Sequence, residues 1–106
     1  MELLPLTYTR GTKILGRFTH TQLIRTDKKA LYKVMFTGAG TQPVISSYEL
    51  FRVKEQKATD MTIGGNTVHY EAKEALPGDA MFGKWAWSFT GISEQEAIKK
   101  FESLDV

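Results

Sequence analysis

The chain contains no cysteine and only two histidines, His20 and His69. The first absence excludes a disulfide framework, a thiol nucleophile and any cysteine-based zinc site, and it suits a reducing compartment. The second leaves little for metal chemistry, because the two imidazoles lie far apart in sequence and neither belongs to a spaced ligand motif. They could meet only if two predicted strands brought them together, with Glu71 as a third donor. Prolines number three and no Ser- or Gly-rich run occurs, so nothing marks a linker, and residues 1–106 read as one globular domain. Long apolar runs are also missing: none approaches the ~20 residues of a membrane span. The opening "MELLPLTYTRG" lacks the basic and apolar regions of an export signal. The expectation is a cytoplasmic protein with no membrane association.

Catalytic motifs are absent too. The loop "FTGAGTQ" (36–42) lacks the third glycine of a dinucleotide fingerprint and the Gly-Lys-Ser/Thr ending of a phosphate loop, and no helix follows to hold a phosphate. Ser46 and Ser47 sit in a predicted strand without the glycine-flanked turn of a nucleophile elbow. Glu71, Glu74 and Asp79 offer carboxylates, but in a polar stretch beside Pro77-Gly78 they read as a solvated loop. No catalytic, cofactor-binding or metal-ligating residue is assigned, no cofactor is expected, and the expected function is non-enzymatic.

What is present is an asymmetry of charge. Residues 1–54 carry nine bases against three acids, and residues 55–106 carry five lysines against nine acids. A basic half can form an anion-binding face, or it can be the scatter of strand lysines and arginines that discourages edge-to-edge pairing. Arg17, Arg25, Lys33 and Arg52 are the candidate contacts to nucleic acid, if they share a groove with Phe18, Tyr32, Tyr48 and Phe51.

Alternating apolar positions predict strands over 12–26, with Gly16 as a bend, over 30–38 and over 43–53. Lys33 should face away from Tyr32, Val34 and Phe36. "MTIGGNTVHY" (61–70) predicts a tight hairpin around glycines that tolerate positive φ. In "GKWAWSFTG" (83–91), Trp85, Trp87 and Phe89 alternate, so one strand would project all three to the same side, with Trp87 the more buried of the tryptophans. From Ser93 the period changes: Ser93-Glu94-Gln95-Glu96 is a capping box, and Ala97, Ile98, Phe101 and Leu104 make one apolar helix face. That face needs a sheet to bury it. The fold expected is therefore α+β: a curled, mostly antiparallel sheet, or a partly open SH3-like small barrel of five to seven strands, with one C-terminal amphipathic helix packed on the Trp row.

The order "SYELFRV", variable hairpin, "DAMFGKWAWSF" and closing "EQEAIKKF" resembles small bacterial proteins carried by phages and other mobile elements. The resemblance implies an accessory role and carries over no site residue. The leading expectation is a small binding protein acting by contact with a protein partner through Leu76, Met81, Phe82 and Trp85, apolar residues in a loop-like setting. Nucleic-acid binding through residues 10–54 is the alternative, and an enzyme without a recognisable motif the third. A monomer or weak homo-oligomer is expected.

Overall fold

The computed structural model describes residues 2–12, 16–38 and 42–105. Its strands are β1 (Thr7–Thr12), β2 (Gly16–Arg25), β3 (Lys29–Thr37), β4 (Val44–Arg52), β5 (Lys54–Gln56), β6 (Thr59–Ile63), β7 (Asn66–Tyr70), β8 (Lys73–Ala75) and β9 (Ala86–Phe89), and one helix follows, α1 (Glu94–Ser103). Five strands form an antiparallel sheet in the order β1-β2-β3-β4-β9. This is the α+β arrangement expected, in its open form. β1 and β9 remain edges, so the small-barrel alternative is not the one adopted.

Of the run 12–26, residues 16–25 are β2, residues 13–15 lie outside the described residues, and Thr12 is the last residue of a strand not expected, β1. β1 pairs with β2 from Thr7↔Thr21 to Thr12↔Gly16, and the expected bend at Gly16 is the start of β2. Gly16 has φ +105°, and a Cβ there would lie 2.5 Å from the ring of Phe36. Only glycine meets both the backbone and the packing requirement.

Strand alternation gives the sheet two apolar faces. On one, Leu31, Tyr48 and Leu50 are buried with Ala97 and Phe101 of α1, and Trp87, Phe89, Ile92, Ile98 and Leu104 pack around them. The helix begins as the sequence predicts, with both hydrogen bonds of the Ser93–Glu96 capping box. It lies over β3 and β4. Its other end is tethered from the sheet: Lys29 Nζ donates to Phe101 O at 2.6 Å and Leu104 O at 3.1 Å. A cation there also opposes the negative end of the helix dipole.

On the other face, Ala30, Tyr32, Phe51 and Ala86 are buried with Leu4, flanked by Tyr8, Val53, Leu76, Phe82 and Trp85. Among the described residues no α-helix covers this side. Two straps do, the N-terminal residues 2–6 and the segment 73–85. Tyr32 ties one of them down by donating to Pro5 O at 2.6 Å.

The Trp row is corrected by this division. The strand begins only at Ala86; Trp85 lies in the turn before it, its N–H donating to Met81 O at 3.1 Å. Gly83, at φ +87°, makes that turn. Trp85 therefore meets the edge of Phe51 on the strap face, while Trp87 and Phe89 reach the helix face. Both tryptophans are half-buried, and the fully buried residue of β9 is Ala86.

Phe101 is the largest helix side chain in the core. Phe101→Ala is expected to cost about 3 to 5 kcal/mol, read as a lower midpoint in equilibrium denaturation at unchanged slope.

Candidate functional site

β5 to β8 are parts of one hairpin. Lys54 pairs with Ala75 and Gln56 with Lys73, while Thr59 pairs with Tyr70 and Ile63 with Asn66. The residue numbers of every pair sum to the same value, so the register runs unbroken from the root at 54/75 to the tip, with pairing interrupted only at 57–58 and 71–72. The tip is the predicted turn, Gly64 (φ +57°) and Gly65 (φ +83°). Two successive positive φ angles are what a two-residue hairpin turn demands. Ten residue steps at about 3.3 Å make an arm roughly 30 Å long.

The root of the arm is held by Glu74. Its Oε1 accepts from the Leu4 N–H at 2.9 Å and Arg25 Nη1 at 2.6 Å, and its Oε2 accepts from Arg25 Nη2 at 2.9 Å. Glu2 adds backbone bonds to Ala72 and Glu74. Arg25 reaches this position because of a bulge: β2 skips a register step between Gln22 and Ile24, which sends Leu23 to the helix face and Arg25 to the strap face. In unbroken alternation Arg25 would share a face with Leu23. The Arg25 fork beside it holds the Glu74 carboxyl below the usual range.

Beyond the root, every residue of β6 and β7 is exposed. Alternation sorts them cleanly. Thr59, Met61, Ile63, Asn66, Val68 and Tyr70 share one face, with Met61 51%, Ile63 54%, Val68 37% and Tyr70 41% exposed. Asp60 and His69 share the other, where His69 Nδ1 meets Asp60 at 2.5 Å and Nε2 meets Glu71 at 3.0 Å. These carboxylates, Asp60 first, raise the pKa of His69. The arm also accounts for the extended shape: the radius of gyration is 15.9 Å, against about 13 Å for a compact chain of this length.

The cations singled out from sequence are not brought together. Arg25 is committed to Glu74 on the strap face. Lys33 lies on the helix face, as its alternation predicts, 3.8 Å from Glu94. Arg17 and Arg52 alternate onto that same face but at opposite ends of the sheet, paired with Thr37 and Lys29. The rings proposed to accompany them are core: Tyr32, Tyr48 and Phe51 are buried, and only Phe18 is exposed. Leu76, Phe82 and Trp85 do converge, but as the strap that closes one end of the core, and Met81 is half-buried beside them. Of the loop 36–42, residues 39–41 lie outside the described residues.

A second feature was not foreseen. A cup of about 210 Å³ on the strap face is lined by Arg10, Phe18, His20, Val34, Ser47 and Glu49. His20 is buried, stacks on Tyr8 at 4.3 Å, and has Nδ1 3.5 Å from Glu49 Oε1. Burial, and then the charge of Arg10, push its pKa down to about 4. At neutral pH the imidazole is therefore neutral, and the contact is not an ion pair. Ser47 stands in the same row, but Val34 of β3 lies between it and His20. Two strand spacings are about 9–10 Å, too far for His20 to take the Ser47 proton. His69 is on the arm, so the two histidines do not form a site, and among the described residues no three or more His, Asp or Glu side chains are placed to hold a metal ion.

No family model, curated protein or solved structure matches the chain. Among the described residues no helix is long and apolar enough to cross a membrane.

Two pH windows follow. His20 binds its proton more weakly folded than unfolded, so stability should fall as pH drops from 6.5 toward 4, by about 3 kcal/mol at most. His20→Gln should abolish that slope. Glu74 binds its proton more weakly when folded as well, so its contribution is present above the ordinary carboxylate pKa and lost as pH falls through the lowered one. Glu74→Gln should cost about 1–3 kcal/mol at pH 7 and flatten the most acidic part of the curve. Urea midpoints from pH 7.5 to 3 check both.

Proposed function

We propose that the protein is a non-enzymatic binding or accessory protein acting by contact with another protein, with the distal arm, residues 59–70, as its contact element. One observation carries the reading: five consecutive cross-strand pairs project from the body, with four large apolar side chains on one face and Asp60 and His69 on the other. An isolated two-stranded ribbon is marginally stable in water. A chain that maintains such a ribbon and gathers its apolar residues on one side offers a docking face, the role that exposed apolar patches commonly serve. The partner surface it suits is itself apolar and flat.

The reading moves the contact from the site expected on sequence grounds. Leu76, Phe82 and Trp85 serve the core and leave only their half-exposed rims for a partner. The separation of Arg17, Lys33 and Arg52 along the helix face, with Arg25 already paired, favours protein over nucleic acid. The cysteine-free composition is in keeping with a cytoplasmic setting.

The test uses the full chain immobilised and exposed to cell lysate with and without nuclease. Proteins retained by the wild type should be lost at least ten-fold on Met61→Glu and be indifferent to nuclease. Because Met61 is half-exposed, its stability should change by no more than about 0.5 kcal/mol. Retention that survives Met61→Glu but vanishes with nuclease or on Arg17→Glu would replace this reading with nucleic-acid binding.

A further inference from the structure

We propose that the face presented by Thr59, Met61, Ile63, Asn66, Val68 and Tyr70 pairs with the same face of a second copy of this chain, in a two-fold, face-to-face packing of two arms. The inference rests on the arm being a docking element and names its partner.

Charge is the first argument. None of the six residues on this face is ionisable near neutral pH, because Asp60 and His69 alternate to the opposite side, where Glu71 joins them. Two copies can therefore meet on it without burying a charge and without like charges opposed. Back-to-back packing would instead take Asp60, His69 and Glu71, already paired with one another within each arm, out of water, which costs desolvation. The arm is thus self-complementary on one face and polar on the other.

Shape gives the symmetry. Three cross-strand pairs lie on the face, Thr59↔Tyr70, Met61↔Val68 and Ile63↔Asn66, with Met61↔Val68 in the middle. A two-fold axis lying between the two layers, running across the strands over that middle pair, would place Met61 and Val68 of both copies together and the two tips at opposite ends. Stacked sheets sit about 10 Å apart, the distance at which such side chains interdigitate. Isologous two-fold contacts are the commonest form of self-association.

Area sets the strength. Five residue pairs at about 3.3 Å per residue, on two strands about 4.8 Å apart, give a face of roughly 17 by 10 Å. Two such faces bury less than the ~1,200 Å² at the lower limit of stable complexes. The dimer is accordingly weak and concentration-dependent. It gives each ribbon the second layer that a lone hairpin lacks.

The absence of cysteine supplies a clean experiment. Met61→Cys and Val68→Cys place a thiol at the proposed axis, and Thr67→Cys places one on the opposite face of the same strand. Because layers about 10 Å apart are too far for a direct disulfide, each variant of the full chain is treated at several concentrations with a short bis-maleimide that bridges two thiols and is resolved on denaturing gels, and the wild type is sedimented over the same range. The expected result is a thiol-cross-linked species of twice the 12.0 kDa chain mass, at least ten-fold more abundant for Met61→Cys and Val68→Cys than for Thr67→Cys. The average mass of the wild type should rise with concentration and that of Met61→Glu should not. Equal cross-linking on both faces, or a wild type that stays monomeric throughout, overturns self-pairing. If the monomeric wild type still retains a lysate protein that Met61→Glu loses, the arm docks a different protein and only this inference falls. If it retains nothing, the docking reading falls with it.

Discussion

The structure is governed by a sheet that is apolar on both faces, with a single α-helix among the described residues to cover them. α1 buries one face through Ala97 and Phe101. The other face must be closed by irregular chain, and irregular chain has backbone polar groups that need partners. The structure answers this with a small set of bonds: Tyr32 to Pro5, Arg10 to Pro77, and above all Glu74, which joins the N-terminal strap, β2 and the arm root in one carboxylate. Removing Glu74 would leave Arg25 and the Leu4 N–H without their acceptor at the point where three segments meet.

The same carboxylate links the fold to the candidate site. By fixing the root of the hairpin, it lets the distal half stand away from the body without contributing to the core. The charge asymmetry seen in the sequence follows the order of the chain: the basic half builds the N-terminal strap and β1 to β4, and the acidic half builds nearly all of the arm, the second strap, β9 and the helix. It does not mark a basic groove, because the sheet cations are spent on Glu74 and Glu94 or spread along one face.

Local signals carried most of the elements. The capping box, the Gly64-Gly65 turn and the alternation of β3 each depend on neighbouring residues, and each is found where the sequence places it. What escaped depends on residues distant in sequence. The bulge at Leu23 has no glycine to announce it, yet it decides which face Arg25 joins. Trp85 looks like part of an alternating row, but the strand starts one residue later, and the turn at Gly83 delivers the ring to Phe51 instead. The continuous register from 54/75 to 63/66 spans a charged connector that reads as a loop, so the hairpin was foreseen but not the arm. The cup around His20 was equally hidden, because its lining comes from four strands.

The central claim is that the distal arm serves contact and the body folds without it. Replacing residues 57–72 by a two-residue Asn-Gly turn between Gln56 and Lys73 preserves the root pairs, Glu74 and both cores. Urea denaturation of this shortened chain, followed by tryptophan fluorescence, tests the claim most directly, since both tryptophans lie in the body. The account predicts one cooperative transition with a midpoint close to that of the full chain. A shortened chain that unfolds without cooperativity, or at much lower urea, would show that the arm is part of the fold and contradict the account.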